Sequence, residues 1–322
     1  MKKFLSLLAA LMLTFLFVSC ETIPAETITL YAPDGAPAFA VANILDGGKI
    51  GDYDVESTIV SGADPIKAAV ANGEADVAVM PLNLAAILYN GGAKIKLASV
   101  NIFGNLYMVG KTPIDGLESL KGKIVYNIGR NATPDITLKY ILQQNGIEFI
   151  ESETPIEGKV AFQYVSAGSE IMQLFASNSI EYAVLGEPAV STCNLLRSTS
   201  VVLDIQAEWK KVAGKNYTQA GVVISEKLAG DKSFVASLNG LLESNAEFVK
   251  NNVDRLKEIL SGKGSTSINP KLTVDEGLII RSSVGYSASS AARSDVESYF
   301  NILKDFNAKL IGGKLPDEGF YL

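Results

Sequence analysis

The feature that most constrains the fold is a strand–turn–helix–turn–strand pattern that occurs twice in the chain. Residues 59–64 read IVSGAD and residues 164–169 read YVSAGS, while residues 71–80 read ANGEADVAVM and residues 176–185 read ASNSIEYAVL. Both matches have the same offset of 105 positions and the same order. A repeated unit of this kind predicts two similar α/β lobes, each built around its own sheet.

Short β-branched runs alternate with helical stretches along the rest of the chain, as they do in α/β proteins. The chain has 322 residues and is 48% hydrophobic, which is enough for two packed cores. Because no low-complexity linker divides it, we expect ordered strands near residues 106–109 and 221–224 to join the lobes. The predicted strands cover residues 27–32, 55–60, 76–80, 95–100, 106–109, 123–127, 161–165, 182–185, 201–205 and 221–224.

The composition excludes several classes of function. Histidine is absent, which rules out a Ser-His-Asp triad, a Cys-His pair and any histidine-ligated metal site. The two cysteines, Cys20 and Cys193, are too few for a zinc site, and Cys193 is expected to be a small buried side chain. The net charge of −7 disfavours nucleic acid as a partner. We therefore predict no metal, no cofactor and no catalytic residue.

The N-terminus has the pattern of a secretory signal. Lys2 and Lys3 precede an apolar run over residues 4–18, which is too short for a comfortable transmembrane helix. The pattern predicts a signal peptide at residues 1–19 and an extracytoplasmic mature protein.

The end of this segment resembles a bacterial lipobox. Residues 17–20 read FVSC, whereas the lipobox ends Leu-small-small-Cys, so Phe17 and Val18 depart from it. If processed, Cys20 becomes the lipidated first residue of a membrane-anchored tether at residues 20–26, because two or more acyl chains give stable anchoring. The alternative is a cleaved signal that leaves Cys20 free.

Ligands of open α/β sheets bind beyond the carboxyl ends of the strands, where helices begin. The corresponding turns of this chain are small, polar or rich in glycine and proline. Backbone N–H groups at such helix starts are unsatisfied and carry a partial positive charge, and glycine lets a ligand approach them closely. These turns cover residues 33–37, 61–64, 81–83, 127–133, 166–169 and 186–188.

Individual residues of these turns have alternative interpretations. Asp64, Thr133 and Ser169 are each explained singly by helix N-capping, whereas the shared strand-end location of the whole set favours ligand binding. Arg130 is the only basic residue in the turns, and either binds a carboxylate, sulfonate or phosphate or is a solvated surface residue.

Other side chains near the strand ends suit a different ligand. Asp34 and Glu187 suit a cationic or amino-pyrimidine ligand. Aromatic rings near the same strand ends could stack on a ligand ring, although most are expected in the core. These aromatic residues are Tyr31, Phe39, Phe103, Tyr107 and Tyr126.

Several longer segments carry a family resemblance. They are PDGAPAFAV at residues 33–41, NGEADVAVMPLNLAA at 72–86, LKGKIV at 120–125, GEPAVS at 186–191 and KLPDEGFYL at 314–322. In order and spacing they resemble the periplasmic substrate-binding proteins of ABC transporters, in the SsuA/THI5-like (NMT1) branch that binds nitrate, sulfonates, taurine or thiamine pyrimidines. The resemblance covers nearly all of residues 27–322.

The resemblance implies an α/β fold of the periplasmic binding protein type II kind, with two lobes, a central cleft and a hinge. Lobe I would comprise residues 27–105 and 222–322, and lobe II residues 106–221. A small organic solute would bind in the cleft and stabilise the closed form, which would dock as a monomer on a membrane permease and its ATPase.

The resemblance also implies a set of ligand-binding residues. The pocket residues of the family, transferred to this chain, give ten candidates. Arg130, identified above from its charge, is added to them. They are Asp34, Gly35, Asp64, Asn83, Asn105, Asn127, Thr133, Ser166, Ser169 and Glu187.

Two other functions compete with that of an importer subunit. One is an enzyme of the same fold, for which Asp34, Glu187 and Cys193 are the only visible reactive groups. The enzyme of this superfamily in yeast uses a cysteine-rich motif and a histidine, and this chain has neither. The other is a sensory or scaffold lipoprotein. The importer hypothesis is preferred because it explains the signal, the anchor and the doubled lobe together.

Overall fold

The computed structural model describes residues 25–62, 64–266 and 274–322. The predicted signal peptide and Cys20 lie outside the described residues, as does residue 63 in one predicted turn. The described strands are β1 (Thr27–Pro33), β2 (Lys49–Ile50), β3 (Tyr53–Val60), β4 (Val77–Pro81), β5 (Ile95–Ile102), β6 (Tyr107–Gly110), β7 (Ile124–Ile128), β8 (Phe149–Glu151), β9 (Val160–Val165), β10 (Tyr182–Leu185), β11 (Ser200–Asp204), β12 (Ala220–Ser225) and β13 (Val284–Ala288).

These strands form two mixed sheets. The first sheet has the order β13-β5-β12-β4-β1-β3-β2, and the second has the order β11-β6-β10-β7-β9-β8. The central strands of both sheets are almost continuously apolar and buried, which is typical of strands covered by helices on both faces.

The repeated sequence pattern forms equivalent parts of the two sheets. In the first sheet β1 lies between β3 and β4, and in the second β7 lies between β9 and β10, with all these strands parallel. An antiparallel strand follows on the same side of each, β12 beside β4 and β6 beside β10. The prediction of two similar α/β lobes is therefore confirmed.

Helices cover both faces of each sheet. They are α1 (Ala36–Phe39), α2 (Ala42–Gly47), α3 (Asp64–Ala71), α4 (Leu82–Asn90), α5 (Thr133–Gln144), α6 (Gly168–Ala176), α7 (Ala189–Arg197), α8 (Ile205–Ala213), α9 (Glu226–Ala229), α10 (Lys232–Asn251), α11 (Val253–Gly262), α12 (Glu276–Arg281) and α13 (Ser289–Asn307), with 3-10 turns at Leu117–Leu120, Ala308–Ile311 and Glu318–Phe320.

The largest buried cluster extends through both sheets. It includes Leu97 of β5 in the first sheet, Met108 of β6 in the second, and Trp209 and Tyr299 on the helices α8 and α13. Separate clusters fill the other face of each sheet, one beneath α10 and α11 and one beneath α6 and α7. The two halves therefore share one apolar cluster, and each half also has a separate apolar cluster on the other face of its sheet.

The chain passes between the sheets in short irregular connections. Residues 103–106 lead from β5 to β6, and residues 214–219 lead from α8 to β12. The prediction that the strands near residues 106–109 and 221–224 make the crossing is wrong in this detail, because each of those strands lies wholly within one sheet.

The first of these connections requires a glycine. Gly104 has φ +139°, and a Cβ atom there would lie 2.7 Å from the Gln206 side chain. The same side chain accepts a 2.8 Å hydrogen bond from the backbone N–H of Leu106, which fixes the connection against α8. Asn105 follows with φ +78°, a conformation that asparagine tolerates better than most residues.

Candidate functional site

The turns after the parallel strands lie along one edge of each sheet. In the first sheet Pro33 of β1 is opposite Val60 of β3, and in the second Ile128 of β7 is opposite Val165 of β9. Because parallel strands point the same way, their carboxyl ends and the turns that follow share an edge. We call these the strand-end edges of the two sheets.

A side-chain contact joins the two strand-end edges. Arg281 ends α12 just before β13, whose first residue is opposite the last residue of β5 at the first sheet's edge. Its Nε donates a 2.5 Å hydrogen bond to Oε1 of Glu187, and its Nη2 donates a 2.8 Å bond to Oγ of Ser191. Glu187 and Ser191 follow β10 at the second sheet's edge. The two edges therefore face each other, and we call the junction between them the cleft.

The Glu187 carboxylate is well satisfied within this cleft. Its side chain is 0% exposed, whereas that of Arg281 is 30% exposed. Besides Arg281, it accepts a 3.0 Å bond from the backbone N–H of Ser191 and a 2.8 Å bond from its hydroxyl. A buried carboxylate needs such donors and a counter-charge to offset its lost hydration. The counter-charge here comes from the opposite sheet.

Asn105 contacts Glu187 directly, and both are members of the predicted set. Its Oδ1 accepts a 2.6 Å hydrogen bond from the Glu187 backbone N–H, and Asn105 is buried. Asn105 lies in the connection between the sheets, so this bond ties the start of the second half to the turn that holds Glu187.

Asp34 and Gly35 lie at the carboxyl end of β1. The Asp34 carboxylate accepts a 2.5 Å hydrogen bond from the Ser265 hydroxyl, and bonds of 2.7 and 3.3 Å from the N–H and hydroxyl of Thr266. Gly35 has φ +101° and precedes α1, a backbone conformation that favours glycine. Asp34 thus holds the segment after α11 at the first sheet's edge.

Asn127 is the predicted residue whose surroundings differ most from the others. It is the penultimate residue of β7 and is 0% exposed. Neither its Oδ1 nor its Nδ2 has a hydrogen-bond partner among the described residues. A buried polar group left without a partner costs about 1–3 kcal/mol, so this amide calls for a partner beyond the described residues, such as a ligand or a water molecule.

Arg130 is engaged at the rim of the second sheet's edge. Its Nη2 lies 2.6 Å from Oε2 of Glu151, and its guanidinium carbon lies 5.3 Å from the centre of the Tyr164 ring. The side chain is 60% exposed. Its positive charge therefore already has both a carboxylate and an aromatic face as partners.

For Thr133 and Ser169, two of the remaining candidates, helix N-capping was the alternative to ligand binding. Thr133 is the first residue of α5 and Ser169 the second of α6, and the residues before these helices make no side-chain cap. N-capping by Thr133 and Ser169 is therefore wrong. Asp64 is exposed at the first residue of α3.

Asn83 and Ser166 complete the predicted set. Asn83 is half-buried as the second residue of α4, and Ser166 is exposed between β9 and α6. The backbone N–H of Ser166 donates a 3.1 Å bond to the Glu170 carboxylate. The structure thus places these residues along the strand-end edges, and a direct contact within the predicted set is made by Asn105 with Glu187.

Many solved structures share this architecture. An ABC transporter protein from Parabacteroides distasonis has a TM-score of 0.78 at 24% identity, over 92% of this chain and 99% of that one. The aliphatic sulphonate binding protein SsuA from Escherichia coli gives 0.66 at 11%, over 92% of each chain. The alkanesulfonate-binding SsuA from Xanthomonas axonopodis pv. citri, bound to MOPS, gives 0.60 at 12%, over 91% and 95%.

The chain has the fold of the type II periplasmic binding proteins. The predicted fold class is thereby confirmed. No protein-family model and no curated protein matches the sequence.

Several residues of the type II cleft escaped prediction from the sequence. Arg281 ends a helix and precedes a strand, whereas the prediction considered turns that follow a strand and open a helix. It lies 94 positions from Glu187, so no local pattern signals the pair. Ser265 and Thr266 follow a helix end in the same way and lie 231 and 232 positions from Asp34.

Reactive groups near the cleft are held in their neutral forms. Burial, with the charges of Asp204 and Glu187, raises the pKa of Tyr107 to about 12, against the opposing effects of Ser283 and Arg281. Burial also raises the pKa of the Cys193 thiol. At neutral pH both groups therefore keep their protons, which makes neither a ready base or nucleophile.

A cavity of about 830 Å³ lies away from the strand-end edges, between the end of α5 and α13, beside Tyr140, Phe149 and Phe306. In the part of the chain that the structure describes, no group of three or more acidic or cysteine side chains is arranged to hold a metal ion. No described helix is both long and apolar enough to cross a lipid bilayer.

Proposed function

We propose that this protein is the solute-binding component of an ABC-type importer, which captures a small organic solute in its cleft and delivers it to a membrane permease. The observation that carries the proposal is the Arg281–Glu187 ion pair, because it joins the facing strand-end edges of two α/β units. A cleft bridged by polar contacts of a single side chain such as Arg281 can open and close around a guest molecule.

The fold supports the same function. The structures that share it include the sulfonate-binding proteins described above and a ligand-binding component of an ABC-type import system from Staphylococcus aureus, with a TM-score of 0.63 at 12% identity. We assign lobe I to residues 27–105 and 222–322 and lobe II to residues 106–221. The membership of β6 to β11 in the second sheet supports this division.

The ligand-binding residues that we propose are the members of the predicted set that line the strand-end edges, together with Arg281. Asn127 has the strongest support, since its buried amide lacks a partner among the described residues. Glu187 and Asn105 follow, because they form the contact network that the lobes share. The remaining members are Asp34, Gly35, Asp64, Asn83, Arg130, Thr133, Ser166 and Ser169.

We further propose that the protein is not an enzyme and that it acts as a monomer outside the cytoplasm, anchored by a lipid on Cys20. The absence of histidine and the protonated states of Tyr107 and Cys193 support a binding role. Turnover of a small metabolite that disappears in a Glu187→Gln variant would instead establish an enzyme. A Cys20→Ala variant that stays in the membrane fraction would contradict lipid anchoring.

A thermal-shift screen against a panel of small metabolites tests the binding function. A solute present at about 100 times its dissociation constant adds about 2.7 kcal/mol to the stability of the folded state, which raises the melting temperature measurably. We expect at least one organic solute to do so and to reduce the radius of gyration. A panel without any shift contradicts the binding function, and solute uptake that is unchanged by deletion of the gene favours a sensory or scaffold role.

A further inference from the structure

Most of the charged candidates at the strand-end edges are already matched to partners within the protein. Arg281 is paired with Glu187, and Arg130 is paired with Glu151. Asp34 accepts hydrogen bonds from the segment after α11. Both arginines at the strand-end edges thus bind carboxylates of the chain itself.

The remaining charged candidate, Asp64, has no ion pair among the described residues. It is exposed at the start of α3, so water satisfies its carboxylate. An exposed carboxylate contributes little to ion-pair binding, because hydration and salt screen it. Asp64 therefore provides a weak attachment point for a cationic ligand.

A charged ligand would have to compete with these internal pairs. An anion that took Arg281 would leave the Glu187 carboxylate, which is 0% exposed, without its counter-charge. A cation that took Glu187 would leave Arg281 without its own. Separating one partner from a buried ion pair is strongly unfavourable, so charge is a poor basis for recognition at this position.

Asn127 offers a neutral alternative. Its amide supplies both donors and an acceptor, it is fully buried at the end of β7, and both polar atoms lack partners among the described residues. A hydrogen bond formed in such an environment is not weakened by competing water. The complementary ligand is an uncharged group that donates and accepts at once, such as an amide, a lactam-type heterocycle or a polyol.

We infer that the cleft binds an uncharged solute that both donates and accepts hydrogen bonds, and that Asn127 selects it. This inference rests on the proposed solute-binding function. The Arg281–Glu187 pair then remains intact when the lobes close, and neither side chain gives up its ion pair to the ligand.

Matched pairs of probes test the inference by calorimetry on the mature protein. Two pairs keep one skeleton and replace a neutral amide group by an anionic one: nicotinamide with nicotinate, and ethanesulfonamide with ethanesulfonate. A third pair, uracil with orotate, adds a carboxylate to the neutral ring. We expect binding of a neutral member at least about tenfold tighter than that of its charged partner, which corresponds to about 1.4 kcal/mol. The affinity of the neutral member should change little between about 50 and 500 mM NaCl, because no charge is screened.

Variants identify the amide responsible. Asn127→Leu should weaken binding of the neutral probe by more than about tenfold, because hydrogen bonds to its amide are lost. Asn239→Leu is the matched control, since Asn239 also has a buried, unpartnered Oδ1 but lies within α10. The affinity of Asn239→Leu for the neutral probe should stay within about twofold of wild type. Melting curves of both variants report whether they fold.

The other outcomes separate this inference from the proposed function. Tighter binding of a charged member, abolished in Arg281→Met, overturns the uncharged class while supporting solute binding. Unchanged neutral binding in a folded Asn127→Leu variant overturns the role of Asn127. A panel in which neither member of any pair binds contradicts both the ligand class and the binding function.

Discussion

Two of the contacts between the halves of the molecule differ in their chemistry. In the cleft, Arg281 and Glu187 form a polar bridge whose arginine is 30% exposed. Behind it, Trp209 of α8 packs on Tyr217 and on Tyr299 of α13, with ring centres 5.0 and 5.7 Å apart, and all three residues are almost fully buried. One contact is charged and reached by water, whereas the other is aromatic and dry.

The difference between these contacts indicates which contact breaks when the lobes separate. Charged groups regain their hydration when they part, which offsets much of the lost ion pair. Aromatic side chains bury about 150–250 Å² each, and exposing them is opposed by the hydrophobic effect. We therefore expect the cleft to open at the Arg281–Glu187 pair while the aromatic cluster stays packed as part of the hinge.

The largest effect is expected from removing the centre of the aromatic cluster. Trp209→Ala should lower the free energy of unfolding by about 3–5 kcal/mol, because it leaves a cavity among rings from both halves. Urea denaturation measures the loss. The control is Leu195→Ala in α7, whose side chain is 52% exposed and whose removal should change stability by no more than about 0.5 kcal/mol. Equal effects of the two variants would contradict the structural role of the cluster.

A smaller effect is expected from breaking the cleft contact. Arg281→Met should reduce stability by about 1–3 kcal/mol, less than for a fully buried pair because Arg281 is partly exposed. It should also raise the radius of gyration in scattering experiments, because the Glu187 carboxylate gains water when the lobes part.

The matched double variant tests whether the ion pair causes this change. Adding Glu187→Gln removes the uncompensated charge and should restore part of the stability and compactness lost in Arg281→Met. A coupling energy below about 0.5 kcal/mol in the double-mutant cycle would show that the two side chains act independently. An unchanged radius of gyration in Arg281→Met would place the opening motion elsewhere.

The aromatic cluster and the ion pair also show what the sequence can predict. The repeat at residues 59–80 and 164–185 predicts two equivalent units because strand and helix periodicities are local properties. The predicted strands also place Asn127 and Glu187 at strand ends, since that position follows from the order of elements. Fold class and the strand-end position of these two residues were therefore accessible from the sequence.

The side chains that contact these residues could not be predicted from the sequence in the same way. Arg281 reaches Glu187 across 94 positions, and its place depends on how α12 packs against the first sheet. The N-capping interpretation of Thr133 was wrong because α5 begins at Thr133 itself, with Ala132 before it. Whether the amide of Asn127 finds a partner depends on tertiary packing, which no local pattern specifies.

The smallest expected effect is a loss of stability in alkaline solution. It arises from the tyrosines of the aromatic cluster and not from the Arg281–Glu187 pair. Burial raises the pKa of Tyr299 to about 12, and burial raises the pKa of Tyr217 well above its ordinary value. The folded state thus keeps a phenol proton that the unfolded state loses near pH 10. The stability that this gives is present in full below about pH 10 and is lost as the pH rises through about 12.

A Tyr299→Phe variant separates this titration from the ion pair. Phenylalanine keeps the ring but cannot ionise, so the fall in unfolding free energy between about pH 8 and pH 11 should shrink by about 1 kcal/mol. Urea denaturation at both pH values measures it. Arg281→Met should retain the wild-type fall, because arginine stays protonated throughout this range. A Tyr299→Phe variant with the full wild-type fall would mean that the alkaline sensitivity arises outside the aromatic cluster.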